Sequence, residues 1–249
     1  MIVTLTDFGI SEYLGVMRGV IFSIFSEARV VDLFNAVSPQ CIKEGAWVLL
    51  QNYKCFPKNS IFLCVVDPGV GSNRQAVVVK TNNYFFVGPD NGLMFPAAED
   101  DGVVEVIEID IDKMGLDAVS KTFHGRDIFA RVAGFLEAGE NYESFGKKTI
   151  LESELKFFLN EQKGEVVRID VFGNIITNIP SLKKDEYTVS FSFIGSKKMF
   201  VPFYKNYSLA PKNVLFLIEG SSNTLEFSLK NDCARKKLPL KIGDRVMIS

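Results

Sequence analysis

Four short segments gather acids, amides and glycines: "TDFG" at 6–9, "VVDPGVGSNR" at 65–74, "GPDNGL" at 88–93 and "FHGRD" at 123–127. His124, the only histidine of the 249 residues, stands in the last of them. A lone histidine is more often a hydrogen-bonded structural residue than a working group. This one lies between an aromatic residue and a glycine, just before Arg126 and Asp127, in a loop that opens an apolar-periodic helix (Ile128, Phe129, Val132, Phe135, Leu136). Loops that feed helix N-termini on a rigid scaffold are where reactive side chains collect. In α/β sheets ligands sit at the carboxyl ends of strands, so Asp7 and Asp67 stand where binding groups belong.

Each motif also has a plain reading. "TDFG" resembles the metal-binding triplet of protein kinases, but at position 7 nothing precedes it to build a nucleotide lobe, so the kinase reading fails. "DPGVG" and "PDNG" are strong turn formers in their own right, because Pro fixes φ and Gly supplies positive φ. No GxxxxGK[ST] phosphate loop is present. Further on, "DVFGNIITNI" places Asp170, Asn174, Thr177 and Asn178 within nine residues of an apolar β stretch. Buried polar groups cost stability when unpaired, so that density implies a ligand or a dense hydrogen-bond network. "EGSSN" at 219–223 is a small-residue loop that would let backbone groups approach a planar ligand.

The elements that must hold these loops fall into two textures. The N-terminal part alternates strand and helix: strand 2–6, helix 11–25, strand 29–34, helix 42–53 and strand 61–66, then strands at 76–80, 84–88 and 103–109 and a helix at 127–137. Helices of ten or more residues between short β-branched runs predict α/β units on a largely parallel central sheet over residues 1–155. Residues 151–162 read as a short helix plus linker. From 164 to 249 the runs are short and alternating ("VVRIDVFG", "YTVSFSFIG", "KKMFVPF", "NVLFLIEG", "TLEFSLKN", "DRVMIS"), which predicts a small all-β barrel.

Composition bounds the class. With 47% apolar residues and 12% aromatics the chain can bury a sizeable core. The four cysteines (Cys41, Cys55, Cys64, Cys233) form no CxxC pair, so neither a zinc site nor a disulfide framework is expected, and they read as reduced core or near-core thiols. No leader pattern and no apolar run of membrane-spanning length is visible, so a cytoplasmic protein without membrane contact is expected. Charge is uneven: residues 1–163 carry 15 Lys+Arg against 22 Asp+Glu, residues 164–249 carry 13 against 8. The basic residues are spread rather than clustered and the pI is near 5.6, which argues against nucleic acid and for a surface matched to an acidic neighbour.

In this order "TDFG", "VVDPGVG", "GPDNGL", "TFHGRDIFA", "DVFGNIITN" and "EGSSNTLE" resemble the S-adenosyl-L-methionine hydroxide adenosyltransferases, relatives of the fluorinating and chlorinating 5′-halogenases. The resemblance implies an α/β domain followed by a β-barrel, homotrimers with sites between subunits, and hydrolysis of S-adenosylmethionine to adenosine and methionine with no metal or further cofactor. It implies Asp67, Arg74 and His124 as the group that holds and activates the attacking water. Asp7 would accept the ribose hydroxyls and Asp170 would pair with the substrate ammonium. Asn174 and the loop Ser221, Ser222, Asn223 would contact adenine edges, with Phe172 and Tyr204 against flat ligand faces. The halogenase Trp that follows Ser-Pro is Gln40 here, and their late-loop Arg is Ser222. A halide-dependent synthase and a non-catalytic adenosine binder are the alternatives; a carboxylate at Asp67 repels halide, and a mere binder has no need of Asp67, Arg74 and His124 together.

Overall fold

The computed structural model describes residues 1–116, 119–191 and 198–249. The chain divides into two compact units, Met1–Leu155 and Lys156–Ser249.

The first unit is built on a seven-stranded sheet with strands β1 (Ile2–Thr6), β2 (Val30–Phe34), β3 (Ile61–Val65), β4 (Ala76–Thr81), β5 (Phe85–Pro89), β6 (Val103–Ile109) and β7 (Gly146–Thr149), in the order β2-β1-β3-β5-β4-β6-β7. The run β2-β1-β3-β5 is parallel throughout, whereas β4 pairs antiparallel with β5 and β6, and β7 antiparallel with β6. The sheet is therefore mixed, with most strands pointing one way. The antiparallel half arises because β4 follows β3 through a loop and returns to β5 by a short turn, with no crossover helix to restore direction.

β1 and β3 are buried at every position, as expected of central parallel strands covered on both faces. Alternation along β3 sorts its side chains. Ile61, Leu63 and Val65 join a core with Met17 and Ile21 of α1 (Glu12–Ile24) and Val132 and Ala133 of α4 (Ala130–Glu137). On the opposite face Phe62 stacks on Phe86 at 5.2 Å beside Tyr53 and Tyr84, next to α2 (Ile42–Asn52) and α3 (Phe95–Asp101). Gly45 of α2 packs so closely on Leu93, Val66 and Leu5 that a Cβ there would meet Leu93 at 2.7 Å.

The second unit is a seven-stranded antiparallel sheet with β8 (Lys163–Ile169), β9 (Ile175–Pro180), β10 (Glu186–Phe191), β11 (Lys198–Pro202), β12 (Phe216–Glu219), β13 (Thr224–Ser228) and β14 (Arg245–Ile248), ordered β11-β10-β14-β8-β9-β13-β12. A bridge between Phe203 and Leu217 brings the two edges together, so the sheet is nearly closed around Val166, Tyr187, Leu225 and Phe227. The expected strand "YTVSFSFIG" is seen to Phe191; its remainder lies outside the described residues.

Three expectations need correction. Residues 151–159 have no regular structure rather than a helix, because their amides go elsewhere: Glu152 and Ser153 donate to the Asp90 carboxylate, and Phe158 to Glu165. The helix expected from Asp127 begins earlier, as a π-helical turn over Gly125–Phe129 that runs into α4. Cys55 is exposed, so it is not a core thiol.

Candidate active site

The parallel strands β1 and β3 end side by side, and each delivers an aspartate one or two residues later. Asp7 and Asp67 both line a cleft of about 340 Å³, together with Phe8, Tyr13, Gln40 and His124. The loops meet through a glycine. Gly71 has φ +79° and lies so close to Lys121 that a Cβ would stand 2.7 Å from its carbonyl oxygen. Any side chain at 71 would thus push the 67–74 loop off the 120–124 loop.

This approach brings Asp67, Arg74 and His124 together. Arg74 Nε donates to Asp67 Oδ1 at 2.8 Å and its Nη2 donates to Oδ2, a bidentate pair with both side chains nearly out of solvent (9% and 7% exposed). The same Nη2 lies 2.9 Å from His124 Nδ1. A guanidinium has donors only, so Nδ1 must accept and the ring is neutral, with its proton on Nε2. Burial, then the Arg74 charge, hold the His124 pKa below its ordinary value; Asp67, Asp127 and a ring hydrogen bond to the Ser120 carbonyl pull the other way. Arg74 does not itself line the cleft. It stands behind the two residues that do, with its guanidinium 5.4 Å from the centre of the Phe129 ring.

The surrounding motifs act as supports. Asn91 of "GPDNGL" donates to the Val66 carbonyl at 2.8 Å and accepts from Leu93, fixing the peptide next to Asp67. Asp127 takes Arg126 bidentately and the Ser120 amide, which anchors the loop carrying His124. Asp7 accepts the Gln40 amide at 2.8 Å, leaving its second oxygen to the cleft. That contact needs Gln40 at φ +62° in the turn Ser38–Cys41, a left-handed position that costs a non-glycine residue on the order of 1 kcal/mol. Gln40, at the place of the halogenase Trp, offers no ring, but Phe8, Tyr13 and Phe123 lie in mutual contact, with centroids 5.1–5.9 Å apart. Phe8 and Phe123 belong to the "TDFG" and "FHGRD" segments, and no spacing along the chain points to their meeting with Tyr13.

The remaining candidates belong to the second unit. Asp170, Phe172, Asn174 and Ser221 line a cavity of about 950 Å³ with Tyr207, Glu219 and Glu226. Asp170 first serves its own turn: its carboxylate accepts the amides of Phe172 and Asn174 and the Asn174 side chain at 2.8–2.9 Å. Phe172 is 73% exposed at the rim. Ser222 and Asn223 belong to the loop that borders the cavity but do not line it. Tyr204, expected against a ligand face, packs edge-on to Phe216 at 5.6 Å and does not line the cavity; from its segment Tyr207 does, and its hydroxyl receives Asn174 Nδ2. Thr177 and Asn178 are absorbed by a network, Thr177 donating to the Leu225 carbonyl, and Asn178 accepting from Glu165 and donating to Phe158.

Comparison with known proteins gives a consistent picture. Residues 2–146 match the model of the SAM hydroxide adenosyltransferase N-terminal domain, and residues 164–247 that of its C-terminal domain. An (R)-S-adenosyl-L-methionine hydrolase of Methanocaldococcus jannaschii is 37% identical over 99% of this chain and 95% of its own. A second protein so named, from Thermus thermophilus, is 32% identical over 96% and 95%. The crystal structure of an uncharacterized conserved protein from Thermotoga maritima superposes with a TM-score of 0.90 at 35% identity, covering 100% of both chains.

Proposed function

This chain belongs to the SAM hydroxide adenosyltransferase family, and on that premise we propose that it is an enzyme that hydrolyses S-adenosyl-L-methionine to adenosine and L-methionine. The observation that carries the mechanism is the contact of Arg74 with both Asp67 and His124 at the floor of the first unit's cleft. Water attacks the ribose 5′-carbon; the C5′–S bond breaks, and sulfur departs with the electron pair as a neutral thioether. No general acid is needed on that side. Asp67 accepts a hydrogen bond from the attacking water and then its proton, which passes to solvent. His124 does not share that task through Nδ1, which Arg74 occupies. Its role is to hold Arg74, and with it Asp67, in one orientation. The nucleophile comes from solvent and the leaving group from the substrate, so the reaction as proposed draws on no metal or cofactor.

Asp7 binds the ribose hydroxyls through its open oxygen, beside the rings of Phe8, Tyr13 and Phe123. Asp170 and Asn174 hold the amino-acid and adenine ends. Halide is disfavoured as nucleophile because the Asp67 carboxylate lines the place it would occupy. We further propose a homotrimer in which the acidic N-terminal part of one copy meets the basic C-terminal part of the next, on the charge partition of the chain. Four free cysteines accord with a reducing cytoplasm; among the described residues no helix is long and apolar enough to cross a membrane.

The test is product analysis of purified protein with S-adenosylmethionine, with and without fluoride or chloride. Adenosine and methionine in equal amounts, at a rate indifferent to halide, are expected. A 5′-halo-5′-deoxyadenosine as the main product would contradict the reading.

A further inference from the structure

The cavity of the second unit holds a carboxyl group that the mechanism does not use. Glu226, on β13, is 8% exposed and lines the cavity. Its side chain lies flat on Gly220, where a Cβ would stand 1.6 Å from Oε1, so residue 220 leaves the carboxyl its room. Among the described residues it has no hydrogen-bond or ion-pair partner. An uncompensated buried carboxyl is costly, and it persists where a ligand completes it.

The charges around it define what that ligand is. Asp170 lines the same cavity, and its oxygens accept from three donors of its own turn. Glu226 is pushed up to about 7 by burial first and by the Asp170 charge second, against the pull of Arg168 on β8. Tyr207 faces it from the 203–215 segment, and Glu219 from the end of β12. Lys230, Asp232 and Lys236 stand at the cavity wall. With four carboxyl groups on the cavity against the two lysines of its wall, and Glu226 among them unpartnered, the site gains most from a compact cation with several donors. An ammonium has three, enough for both carboxylates at once.

We propose that Glu226 is a second carboxylate for the substrate ammonium, shared with Asp170, so that the amino-acid end of the substrate is recognised by two acids. This rests on the reading of the chain as a S-adenosylmethionine hydrolase. Binding of the ammonium ionises Glu226 and expels its proton, so affinity for the amino-acid end rises with pH up to the free group's own titration and then levels. The ammonium takes no part in the bonds that form and break at the 5′-carbon, so the effect of Glu226 falls on binding and not on the chemical step.

The experiment measures inhibition of hydrolysis by the two products separately, in wild type and Glu226→Gln, from pH 6 to 7.5. For wild type, L-methionine should bind about eightfold more tightly at pH 7.5 than at pH 6, and 4-methylthiobutanoate, which is methionine without the ammonium, should show no such step. Glu226→Gln should lose about 10- to 100-fold in methionine affinity and the pH step with it, raise KM for S-adenosylmethionine and leave kcat and adenosine affinity nearly unchanged. Weakened adenosine binding with unchanged methionine binding would overturn the proposal and assign Glu226 to the nucleobase. A wild-type methionine affinity flat between pH 6 and 7.5 would overturn it without any variant. Failure of the hydrolase reading itself is separate: wild type would release no adenosine.

Discussion

Replacing Arg74 by glutamine isolates the contact on which the site is built. The guanidinium and the Asp67 carboxylate are 9% and 7% exposed and meet at 2.8 Å through Nε. At an effective dielectric near 20 their attraction is about 6 kcal/mol, most of it offset by desolvation of the two charges. Arg74→Gln removes the attraction and leaves a desolvated carboxylate, which costs about 3–5 kcal/mol. Asp67→Asn strands the guanidinium at similar cost, though Arg74 keeps its contacts with His124 and Phe129. The double variant has neither charge, so it should recover to within about 1–2 kcal/mol of wild type, a coupling of several kcal/mol. Trp47, the single tryptophan, is buried on α2 in the same unit, so its fluorescence in urea titrations follows this unit's unfolding directly. All three variants should be about 100- to 10,000-fold slower than wild type, so stability and activity separate in the double variant. If Arg74→Gln unfolds within 1 kcal/mol of wild type, or if the double variant is no more stable than the single ones, the pair is not the desolvated contact described.

Three further outcomes are expected. His124→Asn keeps an acceptor where Nδ1 stands and should retain clearly more activity than His124→Ala; because the wild-type ring must be neutral and its pKa is lowered, kcat/KM should fall on an acid limb below about 6.5 that His124→Asn lacks. Equal activities for the two variants would contradict a positioning role. For Glu226 the folded-state value near 7 exceeds the unfolded 4.5, so stability present below 4.5 is lost as pH rises towards 7; Glu226→Gln should match wild type near pH 4.5 and exceed it by up to about 3 kcal/mol at pH 8, read by calorimetry, and a gap that does not open with pH would refute the burial argument. Light scattering across a range of protein concentrations should give a mass near three times 27.8 kDa, and a monomer throughout would contradict the trimer.

Much of this was legible in the sequence because its signals are local. The apolar run IFLCV and the β-branched run IVTLT mark β3 and β1 as strands, and the aspartates that follow them sit at the strand ends for that reason alone. The convergence of Asp67 and Arg74 with His124 is not local: it depends on Gly71 meeting the Lys121 backbone, and the family resemblance supplied it where residue spacing could not. Direction in the sheet was harder to read, since β-branched strands such as β4 and β6 read alike whichever way they run, and the short β7 (GKKT) carries no strand signal of its own. The 151–159 segment misled because its amides find the Asp90 carboxylate, 62 residues back, and Glu165 on the following strand β8 rather than carbonyls of their own segment. Tyr204 and Tyr207 differ by three positions in an irregular segment, where no periodicity tells which ring faces the cavity. Glu226 sits in an alternating strand that marks it as merely polar, and only its surroundings make it notable.

The central claim is that water attacks the 5′-carbon from the Asp67 side of the cleft. Hydrolysis of S-adenosylmethionine in 18O-labelled water, followed by mass spectrometry of the released adenosine, tests it most directly. One solvent oxygen should appear at the 5′-hydroxyl in every turnover, and Asp67→Asn should slow its appearance without altering the product. Unlabelled adenosine, or labelled adenosine formed as fast by Asp67→Asn as by wild type, would contradict it.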